Sequence, residues 1–331
     1  MRVHSEPVIP AEVLLRAISI LAVVFNHAHA NGDAPFGYGG GMTFLMLLSG
    51  LNFARFSLQR GSAREVRHGL VSLGLRILVP CLAIVLASFA LKREFDWAEL
   101  LFVSDWFTPL HVSLLITWYP QVLLQILLIL YLLFSVEGFA RAILTRPLAS
   151  SVALLVVALL VRATFPMLWD TSPLKHRLPH LFLWNFVLGW VVFFSLRKPQ
   201  AGSRRGAWLA IACTAVSAFV GWPADRPQPY WLIAATSILV FVPRVRLPGV
   251  VVWRAVSIVG QATFAIFLLH PSLLRAYRAL SPWPAPEIAW LFAVTGCVAL
   301  WLLWTSLTRA YRTVSRPQAV SWAGSPSSSL S

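Results

Sequence analysis

Two ionisable residues stand eleven positions apart in the first apolar stretch of the chain, Arg16 and His27. On an α-helix that spacing returns both side chains to nearly one face, about 16 Å apart along the axis. Ionisable groups inside a bilayer are costly unless sheltered, so each is read first as part of a site. A histidine there can take a proton from a hydroxyl, or act as a nucleophile. An arginine can hold phosphate oxygens. The plain structural alternatives are a snorkelling arginine at the interface and a helix-ending histidine. A second histidine, His270, ends a later apolar run, Ala265-Ile-Phe-Leu-Leu-His-Pro271. If the two helices run in the same direction, His27 and His270 lie at one depth, which favours a shared site over coincidence.

Other polar residues interrupt the apolar runs. Ser49-Gly50 follows a glycine-rich stretch from Gly37; these residues can line a cavity or serve close helix packing, and packing is the better account. Trp118-Tyr-Pro-Gln121 leads to Gln125. Gln121 and Gln125 are four apart and share a helix face, where they either bind substrate or tie helices together. Arg162, Asn185 and Gln261 are weaker candidates of the same kind.

These residues need elements to carry them. Of the 331 residues, 58% are hydrophobic and 12% charged, with mean hydropathy +0.73. Apolar runs of roughly 17–25 residues, the length that spans a bilayer, recur from end to end. The pattern predicts helices over 10–28, 42–58, 70–91, 117–136, 149–166, 179–196, 206–222, 229–243, 254–273 and 287–308. The fold class is all-α: a polytopic transmembrane bundle of about ten helices, one integral domain over 1–316 and a disordered tail over 317–331. Residues 17–25 followed by Ala28-His29-Ala30 have the look of a signal peptide, yet a retained first helix shows the same features.

The net charge of +15 sits in short clusters between apolar runs, such as Arg60, Arg64 and Arg67, or Arg204 and Arg205. No stacking aromatics interleave them, which excludes nucleic acid as the partner. They read as cytoplasmic loops facing anionic membrane lipids, with both termini cytoplasmic. Cys81, Cys213 and Cys297 lie inside apolar runs without metal or redox spacing, and no metal is expected. Residues 92–116 form a partly apolar outer loop, with Asp105-Trp106, that could lie in the interface or fold over a site.

The ordered set of motifs resembles the membrane-bound acyltransferase 3 family. Arg16 to His27 resembles its arginine–ten residues–histidine signature. Gly40-Gly41, Phe44 and Leu48-Ser49-Gly50 resemble its second-helix motif, and Arg76 to Pro80 the motif opening its third helix. Trp118-Tyr119 with Gln125 resembles its fourth-helix motif, and Phe264 to His270 its late histidine motif. Two positions depart from the pattern. Val13 and Leu14 stand where an acidic residue usually precedes the arginine, although Glu12 is close; Gln121 stands where a glutamate is usual. The second departure implies altered rate or substrate, or loss of activity.

The resemblance implies an integral O-acyltransferase of the cell membrane, taking an acetyl group from cytoplasmic acetyl-CoA to a hydroxyl of a glycan, lipid or small molecule. Arg16 and His27 would then be catalytic. Acyl-CoA is expected to leave its phosphates with Arg16, Arg55, Arg60 and Arg76. Ser49, Trp118, Gln121 and Gln125 are expected to line the substrate pocket. His27 would act as general base or carry the acyl group transiently, with His270 as second proton-transfer or positioning group. A transporter or flippase with a polar path is the alternative, although no internal repeat is visible.

Overall fold

The computed structural model describes residues 7–29, 40–93, 95–107, 114–168, 177–197, 203–281 and 285–314. The expected tail and residues 108–113 of the outer loop lie outside them. In chain order the elements are β1 (Val8–Pro10), α1 (Ala11–Ala28), α2 (Gly41–Phe56), α3 (Ala63–Lys92), α4 (Trp97–Leu100), α5 (Leu114–Leu133), α6 (Glu137–Thr145), α7 (Pro147–Leu168) and α8 (Pro179–Leu196). Then come α9 (Ser203–Gly221), α10 (Pro227–Phe241), β2 (Arg244–Arg246), α11 (Gly249–Leu280) and α12 (Pro286–Val314).

The ten anticipated helices all form, in order, as α1, α2, α3, α5 and α7 to α12. Six of the described helices are long and apolar enough to cross a membrane by length and composition alone. A seventh span results if Trp118–Leu133 and Glu137–Thr145, bent by 99°, count as one. At 16 and 15 residues, α2 and α10 fall short of the roughly 20 that a bilayer needs.

Local sequence accounts for the differences from expectation. Helix α3 starts earlier than its apolar run because Ser62 caps it: Glu65 N–H donates to Ser62 Oγ (3.2 Å), and that hydroxyl donates to Glu65 Oε2 (2.7 Å). Polar Ala63–Gly69 therefore extends the helix. The unforeseen α6 is short and amphipathic, burying Ala140 and Ile143. Helix α10 stops two residues before Pro243, which disfavours helical backbone ahead of it.

A small antiparallel ribbon was also unforeseen. β1 pairs with β2 in the register Val8↔Arg246, Ile9↔Val245 and Pro10↔Arg244. Ala11 N–H donates to Pro243 O and Leu247 N–H to Pro7 O, each at 3.0 Å. The ribbon runs directly into α1 and lies just before α11, joining the starts of these two helices.

Helix α8 is the axis of the bundle, with 83% of its span buried. Its approach to α2 depends on glycine. A methyl group on Gly50 would lie 1.8 Å from Phe186 O, and one on Gly189 2.2 Å from Leu47 O. In lipid, helix association comes from such close packing more than from hydrophobic exclusion. On one side of α8 a core gathers α1, α2, α3, α5, α11 and α12. A second core lies among α2, α8, α9 and α10.

Candidate active site

His270 stands just before a proline inside its helix. Pro271 lies inside α11 and has no N–H, so the carbonyl of Phe267 receives no helical bond from it. One residue earlier, the Ile266 carbonyl accepts a bond from His270 Nδ1 at 2.9 Å. With its proton on Nδ1, neutral His270 presents Nε2 as an acceptor. His27 Nδ1 lies 2.7 Å from that nitrogen and therefore carries the donated proton. The rings are nearly parallel, 17° apart with centroids at 5.0 Å. This chain of donors leaves the lone pair of His27 on Nε2, the arrangement of a general base.

The end of α1 is clasped around this pair. Arg278 Nη2 donates to the carbonyls of His27 (2.9 Å) and Ala28 (3.0 Å), satisfying groups that a helix end leaves open. Trp290 Nε1 donates to Leu21 O at 3.1 Å, bracing the same helix from α12.

A second cluster lies nearer the ribbon. Tyr119 is buried, and its hydroxyl lies 3.2 Å from Ser49 Oγ. Ser49 itself donates to Leu45 O at 2.9 Å, so Tyr119 is the donor. The Tyr119 ring packs on Phe267 at 5.2 Å, and Phe267 packs edge-on against His270 at 5.9 Å. Trp118 packs at a tilt of 44° against Phe182, with ring centroids 5.5 Å apart. Arg16 lies in electrostatic reach of Glu12, Tyr119 and Arg55. Among the described residues its guanidinium has no hydrogen-bond or ion-pair partner. A half-buried cation in that state is suited to an incoming anion.

The other anticipated arginines differ. Arg55 grips Glu12 through both arms of its fork, at 3.0 and 2.8 Å. Arg60 ends a short 3-10 turn, Leu58–Arg60. Arg76 is on an exposed face of α3, where it lines a shallow groove of about 390 Å³ with His68 and Ser72; no hydrogen bond or ion pair among the described residues joins it to Arg16.

The two glutamines hold the outer loop. Gln121 Nε2 donates to Ser104 Oγ (3.0 Å). Gln125 Nε2 donates to Phe102 O (2.8 Å) and to both carboxylate oxygens of Asp105 (2.9 and 3.1 Å), while Trp106 Nε1 donates to Gln125 Oε1 (3.0 Å). Of the two roles open to these amides, tying is the one the geometry supports, and the loop folds onto α5. Burial pushes the Asp105 carboxyl up to about 6, opposed by the Gln125 bond and the nearby Arg177 charge. Burial in turn lowers Arg177, which Asp105 counteracts. Arg162 is similarly engaged, donating to the Leu181 (2.9 Å) and Gly221 carbonyls between the rings of Trp184 and Trp222. Tyr119 was not singled out from the sequence, although it stands in the Trp118-Tyr119 pair of the fourth-helix motif.

No curated protein and no solved structure matches the chain. A family model described as an acyltransferase domain does match, over residues 14–309, a range that takes in both histidines, Arg16 and Tyr119. Together with the long apolar helices, this makes the chain a multi-pass membrane protein. Since one model spans nearly the whole sequence, the chain belongs to the acyltransferase 3 family.

Proposed function

We propose that the protein moves an acyl group, acetyl in the first instance, from acyl-CoA to a hydroxyl of a glycan, lipid or small molecule, with His27 as general base. The observation that carries this reading is the hydrogen-bonded relay from His27 through His270 to the Ile266 carbonyl, because it leaves the lone pair of His27 on Nε2. In this reading the ten anticipated helices, the shorter α2 and α10 among them, form the membrane bundle of a cell-membrane enzyme with both termini cytoplasmic. The ribbon, Arg16 and Arg55 then face the cytoplasm, and the histidines lie toward the outer side.

The donor enters from the ribbon end. Its phosphates meet Arg16, which has no partner among the described residues, and Arg55 joins by exchanging Glu12 for phosphate. The acyl arm extends along α1 toward His27, a distance of about 16 Å by helical rise. There His27 Nε2 takes the proton of the acceptor hydroxyl as its oxygen attacks the thioester carbonyl. His270, accepting from Nδ1, steadies the imidazolium that forms. The C–S bond breaks, and the proton passes from His27 to the leaving CoA thiolate.

The deciding experiment uses purified protein in nanodiscs with radiolabelled acetyl-CoA and a panel of hydroxyl acceptors. Label transfer that disappears in folded His27→Ala and Arg16→Ala variants supports the reading. A wild type that neither binds acetyl-CoA nor transfers label to any acceptor sinks it.

A further inference from the structure

Helix α3 lies at the edge of the bundle, with 22% of its apolar span buried. Its outward face changes character along its length. His68, Ser72 and Arg76 stand four residues apart on one stripe, and Val79, Ala83, Leu86 and Ala90 continue it at helical spacing. Ser72 is half-buried and the other six are exposed. The polar part is concave: His68, Val71, Ser72, Leu75 and Arg76 line the groove of about 390 Å³, which is open at the surface.

Arg76 stands between Leu75 and Ile77, inside the apolar run. A cation facing lipid is costly there unless an anion or water meets it. Helical side chains lean toward the N-terminus of their helix, so this guanidinium is carried over Ser72 toward His68. Among the described residues no hydrogen bond or ion pair engages the side chain of His68, Ser72 or Arg76. Glu65, at the start of the same helix, is held by the Ser62 hydroxyl at 2.7 Å. It lies about 16 Å along the axis from Arg76.

A guanidinium fork, a hydroxyl and an imidazole N–H form a donor set that receives phosphate. A phosphatidylcholine headgroup would also bring a quaternary ammonium, for which the groove lining holds no carboxylate and no aromatic ring apart from His68. An anionic glycerophospholipid brings phosphate without that cation. From Arg76 to Leu86 the stripe runs about 15 Å, roughly the hydrocarbon depth of one leaflet. One acyl chain can therefore follow it while the phosphate occupies the groove. With the start of α3 on the cytoplasmic side, as proposed above, the groove opens to the inner leaflet, where anionic lipids give the surface its negative potential.

We infer that the His68–Ser72–Arg76 groove of α3 binds the phosphate of an anionic glycerophospholipid of the inner leaflet, whose acyl chain follows Val79, Ala83 and Leu86. The site needs no acyl transfer, so lipid binding stands or falls separately from the proposed reaction.

Native mass spectrometry of the full-length protein in detergent, titrated with phosphatidylglycerol or phosphatidylcholine, tests the site. The first phosphatidylglycerol should bind about tenfold more tightly than the first phosphatidylcholine. Arg76→Gln should abolish that preference. Ser72→Leu, which fills the groove and leaves every charge in place, should do the same, and it carries the test if Arg76→Gln does not fold. Arg141→Gln, which removes an exposed arginine of α6 already paired with Glu137, should keep the preference. Equal affinities for the two lipids in wild type, or a preference retained in Arg76→Gln, overturn the inference. An equal loss in Arg141→Gln overturns it in favour of diffuse charge, and displacement of phosphatidylglycerol by free CoA overturns it in favour of a donor site.

Discussion

The glutamine network on α5 and the histidine pair between α1 and α11 are both polar constellations set among apolar helices, and they end differently. Gln125 engages both ends of its amide with Phe102, Asp105 and Trp106, and Gln121 bonds Ser104. The histidine chain is anchored at one end, on the Ile266 carbonyl, and leaves the His27 Nε2 lone pair at the other. A polar side chain in a membrane helix thus signals chemistry only to the extent that its neighbours leave hydrogen-bonding capacity over. Arg16 and Arg55 repeat the contrast: similar guanidiniums near one glutamate, of which, among the described residues, only Arg55 is paired.

The largest expected effect tests the open end. His27→Ala should lower acyl transfer by about three orders of magnitude, with size-exclusion profile and Tm little changed; normal activity would reverse the ranking of the two constellations. Next is the anchor. His270→Ala should cost about 100-fold, while His270→Gln, whose carbonyl can still accept from His27 Nδ1, should recover a good part of it, with the pH–rate profile distinguishing a shifted base from a misfolded site. On the closed side, Gln125→Leu strands the Asp105 carboxylate and the Trp106 N–H. It should cost about 1–3 kcal/mol, read as a lowered Tm and faster amide exchange over 101–107, with a smaller loss of activity.

The smallest effect sharpens the comparison through pH. The Asp105 carboxyl sits at about 6 against its ordinary 3.8, so the docked loop holds the proton more tightly than the free loop. Docking should be firmest at low pH, weaken as pH rises through this interval and level off above about 6. Amide exchange over 101–107, corrected for its intrinsic pH dependence, should therefore be slower at pH 5 than at pH 8 in wild type and equal in Asp105→Asn.

Much of this arrangement is legible in the sequence because helical periodicity carries it. The eleven-residue step from Arg16 to His27, the four-residue step from Gln121 to Gln125, and the run ending in His270-Pro271 each follow from one helix considered alone. The pairing of Glu12 with Arg55 depends on how α1 and α2 cross, which no local pattern encodes. Three-residue β1 finds its partner more than 230 positions away, with too few residues to show alternation. Ser62 and Glu65 are a readable cap, masked by the polarity of the residues after them.

The ribbon at the foot of α1 and α11 has a mechanical consequence. From Ala11 to His27 the helix is a lever of about 24 Å, pivoting where β1 meets β2. A tilt of about 5° at that pivot would carry the imidazole sideways by roughly 2 Å, more than a hydrogen bond tolerates. Three residue pairs and the flanking bonds of Ala11 and Leu247 act as the bearing that limits this swing, and the Arg278 clasp steadies the far end. Alignment at the reacting nitrogen is thus set partly by backbone at the opposite end of the helix.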